Sequence, residues 1–300
     1  TAVIFLVRFW IQPKMNTIAL QVASSTATNF SVGRKTPLAV LRIISQRHTP
    51  RDAFPHSQTA MTELRYLPDS DDVTTFTAAV AQATDDYIVL DGTYFYPEGG
   101  GQPADQGTLD WDGGSADVVD VQKEHGDVRH YVDTVQGRLP DSGTDVTGHV
   151  DAERRATHRR MHTAQHVVSK VVLDEFGAQT AGNQIHADRS RIDFTPATFS
   201  DDDIAFIEQK TNAVLEQNLP VTKTEMPRAE AEERTPEGRG LLDLIPDFVD
   251  PLRMVAIGDF DLCPCGGTHV DRLGEVGRIR IVNRVTKGAD IDRIEFELEE

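Results

Sequence analysis

The chain has 300 residues, 39% hydrophobic and 26% charged, which is enough for two domains with buried cores. No stretch of about 18 apolar residues runs without a charge, which argues against a membrane-spanning helix. Its two cysteines, Cys263 and Cys265, are one residue apart, which excludes a disulfide framework and fits a reducing cytoplasm.

The formal net charge of −18 is unevenly spread. Residues 1–60 carry seven Lys/Arg against one acid, and residues 61–300 carry 23 Lys/Arg against 47 acids. In the acidic part Asp outnumbers Glu by 30 to 17 and Arg outnumbers Lys by 18 to 5. Such an excess repels itself in ordinary buffer and suits a halophilic protein kept soluble in very high salt; an acidic mesophilic protein would carry more Lys. The basic segment 1–60 has the composition of a transit peptide, or is a non-native extension upstream of a start at Met61. Little order is expected there.

From Met61 to about Val150 the pattern is of short strands and turns. Tyr87–Leu90 precedes Asp91-Gly92, Thr108–Trp111 precedes Asp112-Gly113-Gly114, and Asp117–Val121 leads to His125-Gly126. Such spacing predicts a small β-barrel over residues 61–150. A helix is expected from Asp151, as N-cap, to Phe176-Gly177, with Met161, Ala164, Val168, Val171 and Val172 as its apolar stripe. Ser200 and Asp203 form the capping-box signature of a second helix. Strands are expected at Arg191–Phe194, Met254–Ile257, Ile279–Val282 and Ile294–Leu298, and a loop over Arg228–Gly240. Strands and helices without strict alternation make residues 151–300 an α+β domain.

His162 and His166, spaced i, i+4, can reach one metal from one helix face. Two such histidines are also common as surface or packing residues, and His158, one turn earlier, leaves the choice of pair open. Residue 163 is Thr, so the glutamate of a zincin peptidase is missing. Cys265-Gly266-Gly267-Thr268-His269 can fold back so that thiolate and imidazole bite one ion, although Cys265 also suits a small buried site. A Cys/His donor set favours Zn²⁺ over Mg²⁺ or Ca²⁺. Cys263 precedes Pro264, whose ring restricts it to extended angles, so Cys265 is the expected ligand. Thr93–Gln102, with Gly99, Gly100 and Gly101, is either a flexible turn or a loop that lets a substrate approach the backbone. There is neither a P-loop nor a dinucleotide fingerprint, so no nucleotide cofactor is expected.

Together, the Gly-rich "FYPEGGGQ" ending at Gln102, the His162–His166 pair and "PCGGTHV" at Pro264–Val270 resemble the AlaX-type alanyl-tRNA editing proteins of medium size, relatives of the alanyl-tRNA synthetase editing domain. The resemblance runs from about Met61 to residue 300, and no counterpart is expected for residues 1–60. It implies a β-barrel followed by an α+β zinc-containing domain. The implied activity is hydrolysis of tRNA(Ala) mischarged with serine, and for this size class also with glycine. It implies zinc ligands His162, His166, Cys265 and His269, a substrate-side loop at Gly99–Gly101, and catalytic-site positions Thr93 and Gln102. A hydroxyl such as that of Thr93, placed for the serine hydroxyl, would reject alanine, which leaves it unpaired; glycine is not covered by that argument. Two rival readings are a non-catalytic zinc-stabilised tRNA-binding module and a zinc hydrolase of small esters. Arg154, Arg155, Arg159 and Arg160, with Arg278, Arg280, Arg284 and Lys287, are the expected tRNA-facing cations. Oligomeric state is not legible in the sequence.

Overall fold

The computed structural model describes residues 61–240, 242 and 245–299; the expectations for residues 1–60 lie outside them. In chain order, β1 (Glu63–Leu64), β2 (Thr75–Ala83), β3 (Tyr87–Leu90), β4 (Gly92–Thr93), β5 (Gly107–Trp111), β6 (Gly114–Glu124), β7 (Asp127–Gly137) and β8 (Asp145–Val150) make up the first half. Six of them close an antiparallel barrel in the order β2-β3-β7-β6-β5-β8, and β1 pairs in parallel with β4 at its side. Period-two alternation directs Phe76, Ala78 and Val80 of β2 and Val146 and Val150 of β8 inward. The hairpins turn at Gly113 and Gly126, whose φ of 91° and 95° are open to glycine at little cost.

The helix α1 (Ala152–Phe176) begins where Asp151 Oδ1 accepts the Arg154 N–H at 3.0 Å and ends at Gly177 in the left-handed conformation. Its apolar stripe packs on β9 (Gln179–Gln184), β10 (Ser190–Thr195), β14 (Ile279–Gly288) and β15 (Ile291–Leu298), an antiparallel sheet of order β14-β15-β10-β9. Helix α2 (Asp201–Leu215) covers the same core and carries both halves of the Ser200/Asp203 capping box. A second antiparallel sheet, β11-β12-β13, joins Val221–Met226, Leu252–Ile257 and Asp261–Pro264. The chain is therefore α+β with a six-stranded barrel. No helix among the described residues is long and apolar enough to cross a membrane.

One expectation is corrected. The stretch Arg228–Gly240 is not all loop: α3 (Arg228–Arg234) occupies its first half. Arg228 pairs with Glu232 and Arg234 with Glu230 at i, i+4, and Ala231 is buried in a small cluster with Leu252 and Met254.

Barrel side and helix side are joined by a buried ion pair. Arg155, on α1, is 1% exposed; its Nε lies 3.1 Å from both Asp105 oxygens, and its other nitrogens donate to Asp71 O at 2.5 Å and Tyr94 O at 2.7 Å. Asp105 Oδ2 also accepts the Tyr96 N–H at 2.6 Å. Removing one partner of such a pair strands a charge in low dielectric. Asp105→Ala is expected to cost about 3–5 kcal/mol of stability, read as a fall in denaturation midpoint in molar KCl. A loss within about 0.5 kcal/mol would mean the pair is not a structural tie.

Candidate functional site

His162 and His166 project from the buried face of α1, and Cys265 and His269 come from the loop after β13. The four offer ligand atoms within 4.8 Å of one another. Cys265 Sγ lies 3.5 Å from His162 Nε2 and 3.4 Å from His269 Nε2. His158 is not in the cluster, so the structure selects the His162/His166 pair. Cys263 lines the same cavity but is not in the cluster: its Sγ contacts Pro264 O at 3.6 Å, and burial pushes its thiol up to about 12.

The outward nitrogens of the rings are engaged by other segments. His162 Nδ1 donates to Gln102 Oε1 at 2.8 Å, which turns Nε2 toward the sulfur. Thr163 Oγ1 donates to Arg159 O at 2.8 Å, so it accepts from His269 Nδ1 at 3.2 Å and orients that ring the same way. His166 Nδ1 faces Asp261 Oδ2 at 3.7 Å and is a buried nitrogen without a hydrogen bond. Burial holds His162 and, more strongly, His269 below the usual histidine range. Burial also lowers His166, but Asp261 and Cys265 outweigh it and leave that ring raised. Burial raises the Cys265 thiol, yet His162 and His269 reverse this and hold it well below its ordinary value, toward thiolate. A thiolate with three imidazoles whose outer nitrogens face hydrogen-bond acceptors is a metal-binding donor set.

The loop holding Cys265 and His269 is shaped by charges that lie far from it in sequence. Asp71 Oδ2 accepts the His269 N–H at 2.9 Å, and Arg253 donates to Cys265 O at 2.7 Å and Gly267 O at 2.8 Å. A Cβ at Gly267 would run into the His162 ring and stand 3.1 Å from Gln102 Oε1, so this position requires glycine. The other acidic cluster, Asp69, Asp71 and Asp271, is not a vacant cation site, because Lys223 Nζ lies within 2.9 Å of all three.

A cavity of about 490 Å³ opens beside the cluster, with His162, His166 and Cys265 on one wall and Tyr66, Tyr96, Gly99 and Gly100 on another. Thr93, Gln102 and Gly101 are not on its lining. Thr93 is wholly buried and its hydroxyl is engaged inside the barrel side: it donates to His130 Nε2 at 2.8 Å and accepts the Phe95 N–H at 3.1 Å. His130 can accept because its Nδ1 donates to Ile88 O and burial lowers its pKa to about 4. Gly101, at φ 85°, presses its carbonyl onto the Ile185 N–H at 2.7 Å, fixing the loop to the segment after β9.

The arginines expected to face tRNA are mostly occupied within the protein. Arg155 is buried, Arg154 donates to Ala104 O, Arg159 to His269 O and Arg160 to Val276 O. Arg278, Arg280 and Arg284 lie beside carboxylates of Glu216, Glu297 and Asp201. Asp71 was missed, since an acidic chain offers no signal that separates one buried aspartate from its exposed neighbours.

The chain is similar to the alanyl-tRNA editing protein AlaX-M of Methanosarcina acetivorans, 40% identical over 79% of this chain and 99% of that protein. It is 39% identical to the AlaX-M protein of Methanosarcina barkeri over the same shares. It is also 40% identical to the alanine–tRNA ligase of Methanopyrus kandleri, over 71% of this chain but 23% of the ligase. Residues 252–295 match the family described as threonyl and alanyl tRNA synthetase second additional domain, and residues 28–154 that described as tRNA synthetases class II (A). The second match starts upstream of Met61, so part of the basic segment does have a counterpart.

Gly267→Ala is expected to force ring and carboxamide apart at a cost of about 1–3 kcal/mol. Gly266→Ala, where a Cβ meets nothing within 4 Å, is expected to stay within about 0.5 kcal/mol of the parent. Equal losses in chemical denaturation would refute the close approach.

Proposed function

The chain belongs to the AlaX-M alanyl-tRNA editing proteins, and from that premise we propose that it is a cytoplasmic, zinc-dependent deacylase that hydrolyses Ser-tRNA(Ala), and Gly-tRNA(Ala) as a second substrate. The observation that carries this reading is the meeting of His162, His166, Cys265 and His269, the first three of them lining a cavity large enough for an aminoacyl ester and its ribose.

The donor geometry supports zinc. Zn–S of about 2.3 Å and Zn–N of about 2.0–2.1 Å at tetrahedral angles give S···N edges of about 3.6 Å. The edges from Cys265 Sγ are 3.4 and 3.5 Å. With all four residues bound, the ion would anchor the Cys265–His269 loop and position the site; it would supply a Lewis acid to the ester carbonyl only if one of the four ligands gave up its place.

The remaining work falls to the chain. Tyr66 and Tyr96 meet edge to face at 5.6 Å and shield one wall from water. Burial raises both phenols, so they stay protonated and can donate hydrogen bonds. Tyr96 uses its hydroxyl to fix Gly99 O at 2.8 Å, which steadies the glycine loop against the substrate. Discrimination between serine and alanine falls to polar groups that face the cavity, among them Gln165 and Thr180, which are both bonded to Ser169 Oγ. A serine hydroxyl can enter that network, whereas alanine leaves it short of a partner; glycine, which also lacks the hydroxyl, is told from alanine by size and not by this network. Gln102 and Thr93 act from behind: Gln102 orients His162, and Thr93 sets the start of the loop through His130.

The test follows release of serine, glycine and alanine from tRNA(Ala) in molar KCl, with free serine esters as a control. Deacylation of Ser- and Gly-tRNA(Ala) well ahead of Ala-tRNA(Ala), abolished by chelator and restored by Zn²⁺, is expected. Binding of tRNA without turnover would indicate a binding module, and equal turnover of free esters a small-ester hydrolase. Cys265→Ser is expected to purify with little zinc and no activity, while Cys263→Ser keeps close to one zinc per chain. Gln102→Ala is expected to weaken zinc affinity by about 10–100-fold. Thr93→Val is expected to cost about 1–3 kcal/mol through the orphaned His130 nitrogen while leaving the serine/alanine rate ratio unchanged. A collapse of that ratio would return Thr93 to direct recognition.

A further inference from the structure

A second cavity of about 320 Å³ shares Glu98 with the first, and β9 contributes to both, Asn183 to the first and Gln184 to the second. His158 lines it, one helical turn, about 6 Å, before His162. This imidazole is 1% exposed, yet its Nδ1 is buried with no partner, and neither ring nitrogen hydrogen-bonds to another described residue. A buried polar group left unpaired costs free energy, so its retention points to a partner supplied from outside. Burial lowers His158 to about 4, which leaves a neutral ring able to donate at one nitrogen and accept at the other.

The other polar groups on this cavity are of both signs. Arg154, whose Nε and one Nη donate to Ala104 O, keeps its other Nη, and His186 is a second donor; Glu98 and Asp120 each accept from Gln122 Nε2 and keep further lone pairs to accept with. Gln106 donates its Nε2 to Val119 O at 2.9 Å, so its carbonyl oxygen is the atom left to accept. Two carboxylates disfavour a phosphate. A planar ring bearing an amino group beside acceptor atoms fits this mixture, because carboxylates take the cytosine N4 amine while Arg and His donate to ring acceptors. The terminal adenosine of a tRNA carries the ester and so belongs at the first cavity. The next base of the universal CCA end is cytosine.

We propose that this second cavity is a subsite for the penultimate cytosine of the tRNA 3′ end, an assignment that rests on the deacylase reading above. It gives a chain of strong negative charge a way to hold RNA by base hydrogen bonds, which survive molar salt better than long-range attraction. Uracil would turn a carbonyl oxygen toward the carboxylates and be rejected.

The test measures binding of uncharged tRNA(Ala) ending in CCA or CUA to the full chain in molar KCl, by fluorescence anisotropy. Alongside it runs hydrolysis of seryl-adenosine, which lacks the cytosine. The parent protein is expected to bind the CCA form about tenfold more tightly. Gln106→Ala, at the exposed rim, and His158→Phe are expected to erase that preference while hydrolysing seryl-adenosine within about twofold of the parent. The subsite is overturned if the parent binds both ends equally, if the variants weaken both ends alike, or if they slow seryl-adenosine as much as tRNA. A CCA preference lost in both variants, together with no turnover of any ester by the parent, would support the subsite and overturn the deacylase.

Discussion

One carboxamide holds the three sequence motifs together. Gln102 Oε1 accepts from His162 Nδ1 at 2.8 Å and from the Thr268 N–H at 3.1 Å, and its Nε2 donates to Thr268 Oγ1 at 3.0 Å. The glycine loop of the barrel side, the histidine helix and the Cys265–His269 loop therefore meet at a group with no exposed surface. Because the amide offers one acceptor and one donor end, it fixes the His162 tautomer and the loop at once. The ring's remaining nitrogen then faces the sulfur, which is the condition for a shared metal. Gly267 is the steric counterpart, since only its missing Cβ lets loop, ring and carboxamide approach so closely.

Around this joint lies a shell of buried charge. Asp71 bonds the His269 N–H and Lys223, with Arg159 and Arg253 within 3.6 Å, and Asp261 pairs with Arg239 beside His166. Arg239 outweighs the effect of burial and holds the Asp261 carboxyl below the usual carboxylate range. In a chain with 47 acids after residue 60, most are solvated, but these few lie where an unpaired charge would be costly. Of the arginines that look like an RNA-binding stripe in the sequence, Arg154, Arg155, Arg159 and Arg160 tie other segments to α1, while the exposed Arg278 and Arg280 lie beside carboxylates.

The elements legible in the sequence were those with local signals. Asp151 and Gly177 mark the ends of α1, the Ser200/Asp203 box opens α2, and Asp-Gly and His-Gly turns mark barrel hairpins. Strands β2 and β7 carry Ala, Gln and Asp at positions whose burial is set by barrel closure, so neither was read as a strand. The short helix α3 hid among Arg, Glu and Pro because its support is an ion-pair ladder and one buried alanine. Of the site, the two halves were legible as motifs, His162/His166 and Cys265/His269, and the structure brings these four side chains together with Cys263 outside the group. Gln102 was noticed, but its orienting role depends on a contact across 60 residues of sequence that no spacing rule reveals. Thr93 shows the opposite failure: its motif position suggested substrate contact, while packing placed its hydroxyl against His130.

The central claim is that one thiolate and three imidazoles enclose a single zinc ion at the wall of the editing cavity. X-ray absorption at the zinc edge of the purified full chain tests it most directly. The account predicts one sulfur at about 2.3 Å and three imidazole nitrogens at about 2.0–2.1 Å. A shell of two sulfurs, or of nitrogen and oxygen alone, would contradict it.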